Sequence, residues 1–214
     1  MSDRSTEVVE LELARREEVA RVLADAFLDD PAWVAIGPAR ERARLRLLRA
    51  YYRVVLRETA AHGGPAWCAL RDGVVVGTAV TFADGLAYPP PRALIAEGLP
   101  FVAAGPGPAI RGALVDGVFK KRHPHEPHVY LWQLAAHPSA QRQGVGRALM
   151  GRVLEEAERR DSPAYLETTK PENVPYYGSF GFRVVDEAKL PRGAQVWFML
   201  RDLAPSQPAY LPNS

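Results

Sequence analysis

Apolar and polar positions follow two different periods along the chain, which predicts a mixture of strands and helices. Partial alternation over residues 8–13 predicts a first strand. Apolar residues at helical spacing over residues 16–27 and 40–60 predict two amphipathic helices. Two apolar runs at 67–70 and 74–82 flank an Asp-Gly step, which predicts a hairpin.

The same alternation resumes after a long segment that is harder to interpret. Within residues 84–126 the pattern favours helices at 92–103 and 109–121, and consecutive prolines before the first of them predict irregular backbone. Beyond it we expect strands at 129–136, 164–168, 182–186 and 196–201 and a helix at 145–160. Residues 204–214 contain several prolines and little core potential, and we expect them to form a tail.

The composition is that of an ordinary globular protein. Hydrophobic residues make up 47% and charged residues 24% of the 214 residues, which suits one domain with a substantial core. The formal net charge is only +2, and no basic stripe with interleaved aromatics appears, so nucleic acid is not an expected partner. No apolar run approaches the length that spans a bilayer, so no membrane is expected either.

Cys68 is the only cysteine, which excludes an intramolecular disulfide and favours a reducing, cytoplasmic location. It lies in an apolar run, where a buried, inert thiol is a better interpretation than a nucleophile. Residues 1–7 are polar and contain no secretion segment. The excess of arginine over lysine and the abundance of alanine are common in GC-rich bacterial genomes, so we expect a bacterial, cytoplasmic protein.

A glycine-containing turn lies between the strand predicted at 129–136 and the helix predicted at 145–160. Its residues are Gln141, Arg142, Gln143, Gly144, Val145, Gly146 and Arg147. Glycines let the backbone approach a ligand closely, and the first N–H groups of a helix attract negative charge, so this order of elements can hold a pyrophosphate. A nucleotide triphosphatase loop would need Gly-Lys followed by Ser or Thr, and a dinucleotide-binding turn would need a glycine where Leu149 stands.

The remaining pattern, Q-x-x-G-x-G, resembles the pyrophosphate-binding loop of the GNAT superfamily of acyl-coenzyme A N-acyltransferases. A second stretch runs from Asn173 through Tyr176 and Tyr177 to Gly181 and Phe182. It resembles the GNAT signature N-x-x-[FY]-Y-x-x-x-G-F. The two motifs have the order and spacing that the family requires. The C-terminal half is most similar to puromycin N-acetyltransferase-like members.

The resemblance implies the GNAT fold, in the α/β (α+β) class. This fold has a single mixed, mostly antiparallel sheet with helices on both faces, splayed between the fourth and fifth strands. These are the strands predicted at 129–136 and 164–168. The resemblance also implies one acyl-coenzyme A N-acyltransferase domain over residues 1–203, in which 84–126 form an insert on the substrate side.

Residues that bind acetyl-CoA, the cosubstrate, are also implied by the resemblance. They are Leu134, Ala135, Ala136, Gln141, Arg142, Gln143, Gly144, Val145, Gly146, Arg147, Asn173 and Tyr177. In the family the asparagine faces the pantetheine arm and the tyrosine hydroxyl lies near the sulfur. Tyr177 is therefore the candidate acid for the leaving thiolate. Tyr176 projects about 100° away on a helix, and we expect it to pack.

The group that takes the proton of an acceptor amine is less evident. Many GNAT enzymes carry a glutamate on the fourth strand, but residues 129–136 contain no acid. Gln133 on that strand can position a water molecule but cannot hold a proton. Glu126 and Glu167 are the nearest acids by motif, and a chain of water molecules without a dedicated base is an equal alternative. The candidate catalytic residues are thus Tyr177, Gln133 and Glu167.

Two polar clusters admit more than one interpretation. His123, His125 and His128 could bind a metal, but prolines between them predict an extended loop and no cysteine joins them, so no metal is expected. Asp29 and Asp30 could end one helix and take a capping role, or could attract a cationic amine. Capping is the favoured interpretation.

The resemblance implies an N-acetyltransferase that moves an acetyl group from acetyl-CoA to a primary amine of a small molecule, an antibiotic or a metabolite, by direct attack. A protein or peptide N-acetyltransferase is one alternative, and a non-catalytic acyl-CoA-binding GNAT-like module is another. The long proline-containing insert favours a closed small-molecule pocket. Tyr177 and the loop glycines argue against a non-catalytic module. We expect a monomer or a homodimer.

Overall fold

The computed structural model describes residues 5–62, 64–82 and 91–203. The strands are β1 (Glu7–Glu10), β2 (Ala66–Arg71), β3 (Val74–Phe82), β4 (Val129–Ala136), β5 (Ala164–Thr168), β6 (Arg183–Lys189) and β7 (Gln195–Arg201). The helices are α1 (Arg16–Ala26), α2 (Pro31–Ile36), α3 (Glu41–His62), α4 (Pro91–Ala103), α5 (Pro106–Arg122), α6 (Val145–Arg159) and α7 (Asn173–Gly178). Short 3₁₀ turns lie at Leu13–Arg15, Pro138–Ala140 and Pro191–Gly193.

The strands form one seven-stranded mixed sheet in the order β1-β2-β3-β4-β5-β7-β6. Its pairings are antiparallel except for β4 with β5, which is parallel. Helices pack against both faces of the sheet, as the core clusters below indicate. The α/β class and the mixed, mostly antiparallel sheet predicted from the sequence are confirmed.

The sheet splays open between β4 and β5. Only Val129 and Tyr130 of β4 pair with β5, opposite Ala164 and Tyr165. After these two pairs the strands separate, so their carboxyl-terminal parts face a gap. This is the opening that was predicted between the fourth and fifth strands.

The two faces of the sheet bury different sets of apolar side chains. On one face the stripe Val145, Leu149 and Val153 of α6 packs over the centre of the sheet, and each side chain is at most 1% exposed. On the other face α1 and α3 cover β2 and β3, with Leu23, Leu48 and Tyr52 fully buried. Farther along this second face, α2 and α5 pack near β5 and β7. The second face is the one that carries a cavity.

Helix α2 was missed by the sequence analysis, which treated Asp29, Asp30 and Pro31 as a simple interruption. Pro31 occupies the first turn of α2, where its fixed φ is suitable and its lack of an N–H costs nothing. The Asp30 carboxylate caps the helix by accepting a 2.9 Å hydrogen bond from the amide of Ala32. The capping role expected in this pair is therefore confirmed for Asp30.

Cys68 is buried, as predicted. Desolvation raises the pKa of its thiol to about 12, which keeps the sulfur protonated and unreactive. Among the residues that the structure describes, no helix has the length and apolar character needed to cross a bilayer. The tail 204–214 and residues 84–90 of the insert lie outside the described ranges.

Candidate active site

The glycine-containing turn forms a cradle of backbone donors at the start of α6. Gly144 is the N-cap residue and adopts φ 84°, a left-handed conformation that favours glycine. The first helical hydrogen bond runs from Ala148 N to Gly144 O. The six amides from Arg142 to Arg147 donate to no acceptor within the described residues. Six unsatisfied N–H groups at the positive end of a 15-residue helix suit a diphosphate.

Side chains within the turn hold its shape. Gln143 Nε2 donates to Ser139 O at 2.8 Å, and Gln141 Nε2 donates to Ala136 O at 3.4 Å. Arg71 of β2 donates to the side-chain carbonyl of Gln143 and, at 2.9 Å, to its backbone carbonyl. Gln141 and Gln143 were predicted to bind the cosubstrate, and that stays a prediction; their side chains brace the loop. The sequence analysis missed Arg71, which reaches the loop from 72 residues away.

Helix α7 carries the second motif and lies against the loop. The Arg147 guanidinium stacks over the Phe180 ring, 5.4 Å from its centroid. The Asn173 amide donates to Thr168 Oγ1 at 3.1 Å, which ties α7 to the end of β5. Tyr177 is 7% exposed and packs edge-on against Phe182 at 6.1 Å.

The Tyr177 hydroxyl is a phenol that keeps its proton. Desolvation is the main reason that its pKa lies well above the usual range, and Tyr176 and Asp30 raise it further. The group can donate a hydrogen bond at any ordinary pH.

A β-bulge in β4 shapes the sheet side of a cavity. Gln133 pairs with Val80 and Leu131 pairs with Thr81, so Trp132 is an extra residue in β4. Neighbouring strand residues normally point to opposite faces, yet Trp132 and Gln133 both line the same cavity. The bulge thus aims two consecutive side chains into one space.

Gln133 is held by α3. The Tyr52 hydroxyl donates to Gln133 Oε1 at 3.3 Å, and the Gln133 NH₂ group makes no hydrogen bond within the described part of the chain. Beyond the bulge, Leu134 and Ala136 pack towards α6 and Ala135 packs towards α1 and α3. The backbone of these three residues borders the gap between β4 and β5, where the sequence placed the cosubstrate.

Asp30 links the start of α2 to the end of β5. Thr169 Oγ1 donates to both carboxylate oxygens, at 2.9 and 3.0 Å, and Asp30 is 7% exposed. Desolvation raises the pKa of this carboxyl group, and its hydrogen bonds with Thr169 and Ala32 oppose the rise. Asp29, its neighbour, forms an exposed ion pair with Lys170 at 3.0 Å.

A buried chain of polar side chains connects α5 to β5. His128 Nδ1 must donate to the Glu126 carbonyl, 2.8 Å away, because a carbonyl can only accept. Desolvation lowers the pKa of His128, so the ring is neutral and its Nε2 accepts. His123 Nε2, 3.0 Å away, is therefore the donor, and His123 Nδ1 faces Glu167 Oε1 at 3.9 Å.

Glu167 and Glu126, the two acids predicted as candidate bases, differ in how they relate to this chain of polar groups. Glu167 is buried beside His123, and its Oε1 has no hydrogen-bond partner within the described residues. The Glu126 side chain is exposed, and only its backbone carbonyl joins the chain. His125 is exposed as well. Over 5–62, 64–82 and 91–203, no group of three His, Cys, Asp or Glu side chains is arranged to hold a metal ion.

A cavity of about 420 Å³ lies on the second face of the sheet, bounded by α2, α3, α4, α5 and β4. Gln133 and Trp132 line its sheet side, and Trp33 and Tyr51 line its helix side. The cavity lies on the second face of the sheet, and the amide cradle begins α6, which packs on the first face. This arrangement can hold two reactants, one with a diphosphate and one with an apolar body.

Comparison with known proteins agrees with this geometry. The model of the Acetyltransferase (GNAT) family matches residues 25–182. The structure of the histone acetyltransferase HPA2 and related acetyltransferase from Corynebacterium glutamicum is 25% identical, with a TM-score of 0.70, covering 96% of this chain and 99% of that one.

Two more distant structures share the fold. The polyamine N-acetyltransferase of Drosophila melanogaster, which forms N-acetylagmatine, is 15% identical with a TM-score of 0.62, covering 93% and 100% of the two chains. A GNAT family acetyltransferase from Brucella melitensis, solved with acetyl-CoA, is 16% identical with a TM-score of 0.53, covering 96% and 92%.

Proposed function

The chain belongs to the acetyltransferase (GNAT) family and is an acetyl-CoA-dependent N-acetyltransferase, and we propose that its acceptor is the primary amine of a small molecule. The observation that carries this proposal is a cavity of about 420 Å³ lined by Trp132 and Gln133 of β4 on the second face of the sheet, while six amides without an acceptor among the described residues begin α6 on the first face. Its volume lies within the range of about 300–1,000 Å³ that is typical of small-molecule sites. The similarity of the C-terminal motifs supports a relationship to the puromycin N-acetyltransferase-like members of the family.

The residues present suit acetyl-CoA. The amides from Arg142 to Arg147 would hold its diphosphate, since they lie at the start of α6 and have no acceptor among the described residues. The backbone of Leu134, Ala135 and Ala136 and the side chain of Asn173 would border the pantetheine. When bound, acetyl-CoA supplies an acyl carbon open to attack and a sulfur that leaves.

Tyr177 acts by donating a hydrogen bond to the departing sulfur. Its pKa is raised above that of an ordinary phenol, whereas a thiol ionises near ~8.5. Complete transfer of its proton to a thiolate is therefore unfavourable, and stabilisation by a short hydrogen bond is the physical contribution that remains. This refines the acid role expected from the sequence.

The amine must lose a proton as its nitrogen bonds to the acyl carbon. Gln133 can position a water molecule at the cavity wall through its free NH₂ group. Glu167 offers a place for the proton, because its Oε1 has no hydrogen-bond partner within the described residues and lies 3.9 Å from His123 Nδ1. We infer that Glu167 is the final acceptor and that water carries the proton to it.

The alternative is a protein acceptor, such as the name of the Corynebacterium glutamicum relative suggests. Helices α4 and α5 on the cavity wall argue against it, because a peptide needs an open groove. We expect the protein to act in the bacterial cytoplasm as a monomer or homodimer.

The test is acetyl-CoA-dependent release of free thiol with a panel of small primary amines and with peptides, together with mass spectrometry of the acetylated product. Acetylation of small amines with little or no turnover of peptides supports the proposal. Turnover of peptides alone would replace it with the protein acceptor. Binding of acetyl-CoA without turnover of any amine would favour a non-catalytic module.

A further inference from the structure

Aromatic side chains make up much of the lining of the cavity beside Gln133, and this lining limits which amines can bind as acceptors. We propose that the acceptor carries its amine on an aromatic or similarly flat apolar body, in preference to a polyamine, a sugar or a peptide. This inference rests on the proposed function and adds the chemistry of the part of the acceptor that does not react.

The helix side of the cavity is an aromatic box. Trp33 of α2 and Phe101 of α4 have nearly parallel rings, 5° apart with centroids 5.9 Å from each other. Tyr51 of α3 meets both rings edge-on, at 5.0 and 5.3 Å. Three rings from three helices thus hold one another in fixed orientations, so this wall is formed before any ligand binds.

The sheet side continues the same surface. Trp132, aimed by the bulge, meets Phe82 of β3 edge-on at 5.9 Å, and Tyr130 stacks on Phe82 at 6.2 Å. Tyr51 joins the two walls through a 6.4 Å contact with Trp132. An aromatic ring that enters this space finds both ring faces and ring edges, the arrangements that aromatic pairs prefer.

Few polar side chains line the cavity, and the charged ones already have interaction partners. Asp116 and Lys120 of α5 form an ion pair with each other at 2.7 Å, and their side chains are 45% and 40% exposed. Glu97 of α4 has an interaction partner as well. Gln133 alone presents a free polar group at the sheet wall. A polyamine or a polyhydroxylated amine would leave charges or hydroxyls without partners here, at a cost in binding.

Gly98 of α4 gives a way to fill the cavity without disturbing its walls. It lines the cavity, and a Cβ built at this position meets no atom within 4 Å. Gly117 on α5 offers a matched control, because its Cβ also meets nothing within 4 Å but it is exposed and does not line the cavity. Both residues lie in helices, so replacement by leucine affects helix propensity in the same direction.

The experiment compares kcat/KM for 2-phenylethylamine and tryptamine with that for putrescine, agmatine and a short peptide. Burial of the ring should favour the aryl amines by ~10- to 100-fold. Binding is followed in parallel by calorimetric titration in the presence of coenzyme A. Equal or better use of putrescine, agmatine or the peptide would overturn the inference, as would failure of both aryl amines to bind at millimolar concentration.

The leucine variants separate this inference from the proposed function. Gly98→Leu should raise KM for the aryl amines at least about tenfold and leave coenzyme A affinity unchanged, while Gly117→Leu should leave both unchanged. If Gly98→Leu leaves KM for the aryl amines unchanged, the aromatic cavity is not the acceptor site. Loss of acetyl-CoA turnover with every amine, in the unmodified enzyme, would instead count against the proposed function itself.

Discussion

A Cβ atom placed on Gly146 would lie 2.7 Å from the hydroxyl oxygen of Tyr176, closer than real Cβ atoms approach other atoms. This contact joins the loop motif to the second motif. The Tyr176 hydroxyl is buried and has no hydrogen-bond partner in the part of the chain that the structure describes. The second glycine of the loop therefore meets a steric demand from a neighbouring side chain, in addition to the ligand contact proposed for it.

Gly146→Ala should weaken coenzyme A binding at least about tenfold, because the Tyr176 side chain or one of the helices α6 and α7 must shift to relieve the overlap. Tyr176→Phe removes the overlapping oxygen and leaves the next ring atom 3.6 Å away, an ordinary contact. The double variant should therefore recover most of the affinity. Calorimetric titration of all four proteins gives the coupling energy. Additive effects of the two substitutions would mean that the contact does not determine the choice of glycine.

Gly144→Asp should abolish detectable coenzyme A binding, since it places a like charge at the cradle. Gly144→Asn is the matched control, because asparagine tolerates the left-handed conformation and has the same size. We expect the asparagine variant to bind at least ~10-fold more tightly than the aspartate variant. Gly193→Asp, at another left-handed glycine with open space around it, should bind normally. Equal affinity of the two Gly144 variants would remove charge repulsion as the cause.

Tyr177→Phe should lower kcat at least ~10-fold and change coenzyme A affinity little, because the ring keeps its packing and only the donor is lost. Single-turnover kinetics is the appropriate measurement, since slow product release can hide a change in the chemical step. Tyr176→Phe is the control and should keep full kcat. A Tyr177→Phe enzyme with unchanged single-turnover rate would return Tyr177 to a packing role.

Glu167→Gln should lower kcat at least ~10-fold, because the amide cannot take up a proton. Glu126→Gln, at an exposed side chain, should leave kcat unchanged. Thermal unfolding of both variants controls for damage to the buried His123–His128 chain. If Glu167→Gln retains the wild-type kcat, water alone removes the proton.

Asp30→Asn should change how stability depends on pH. Burial raises the pKa of Asp30 above 3.8, so the folded state holds the proton more tightly than the unfolded state. This contribution is fully present below the unfolded pKa and is lost as pH rises through the folded pKa. The free energy of unfolding of the wild type should thus fall relative to that of Asp30→Asn as pH rises from about 3.8. Denaturant titrations of both proteins across this pH window measure the free energy of unfolding. If the two curves of this free energy against pH run parallel, the expected contribution of Asp30 is absent.

Local patterns were sufficient for most of the fold. The helical stripe of α6, the hairpin at Asp72 and the glycine turn each depend on neighbours in sequence, and all lie where they were predicted. Helix α2 was missed because six residues are too few for a periodic pattern, although Asp30 followed by Pro31 is a helix-start signal. The motif order located the splay between β4 and β5.

The contacts that shape the site are mostly long-range and could not be predicted. Asp30 meets Thr169 across 139 residues, and Arg71 meets Gln143 across 72. The bulge at Trp132 depends on the register with β3, which the sequence of β4 alone does not contain. His123 and His128 are close in sequence, but the extended loop predicted for this segment did not indicate that both rings would be buried.

The parting of β4 from β5 after Tyr130 gives the sheet two internal edges in addition to its outer edges at β1 and β6. Unpaired strand edges can template pairing with a foreign strand, and proteins normally shield them. A ligand that occupied the gap would provide that shield and, by binding only the folded state, would stabilise it by an amount that grows with the logarithm of the ligand concentration. Coenzyme A bound there would thus protect this fold against aggregation as well as take part in the reaction.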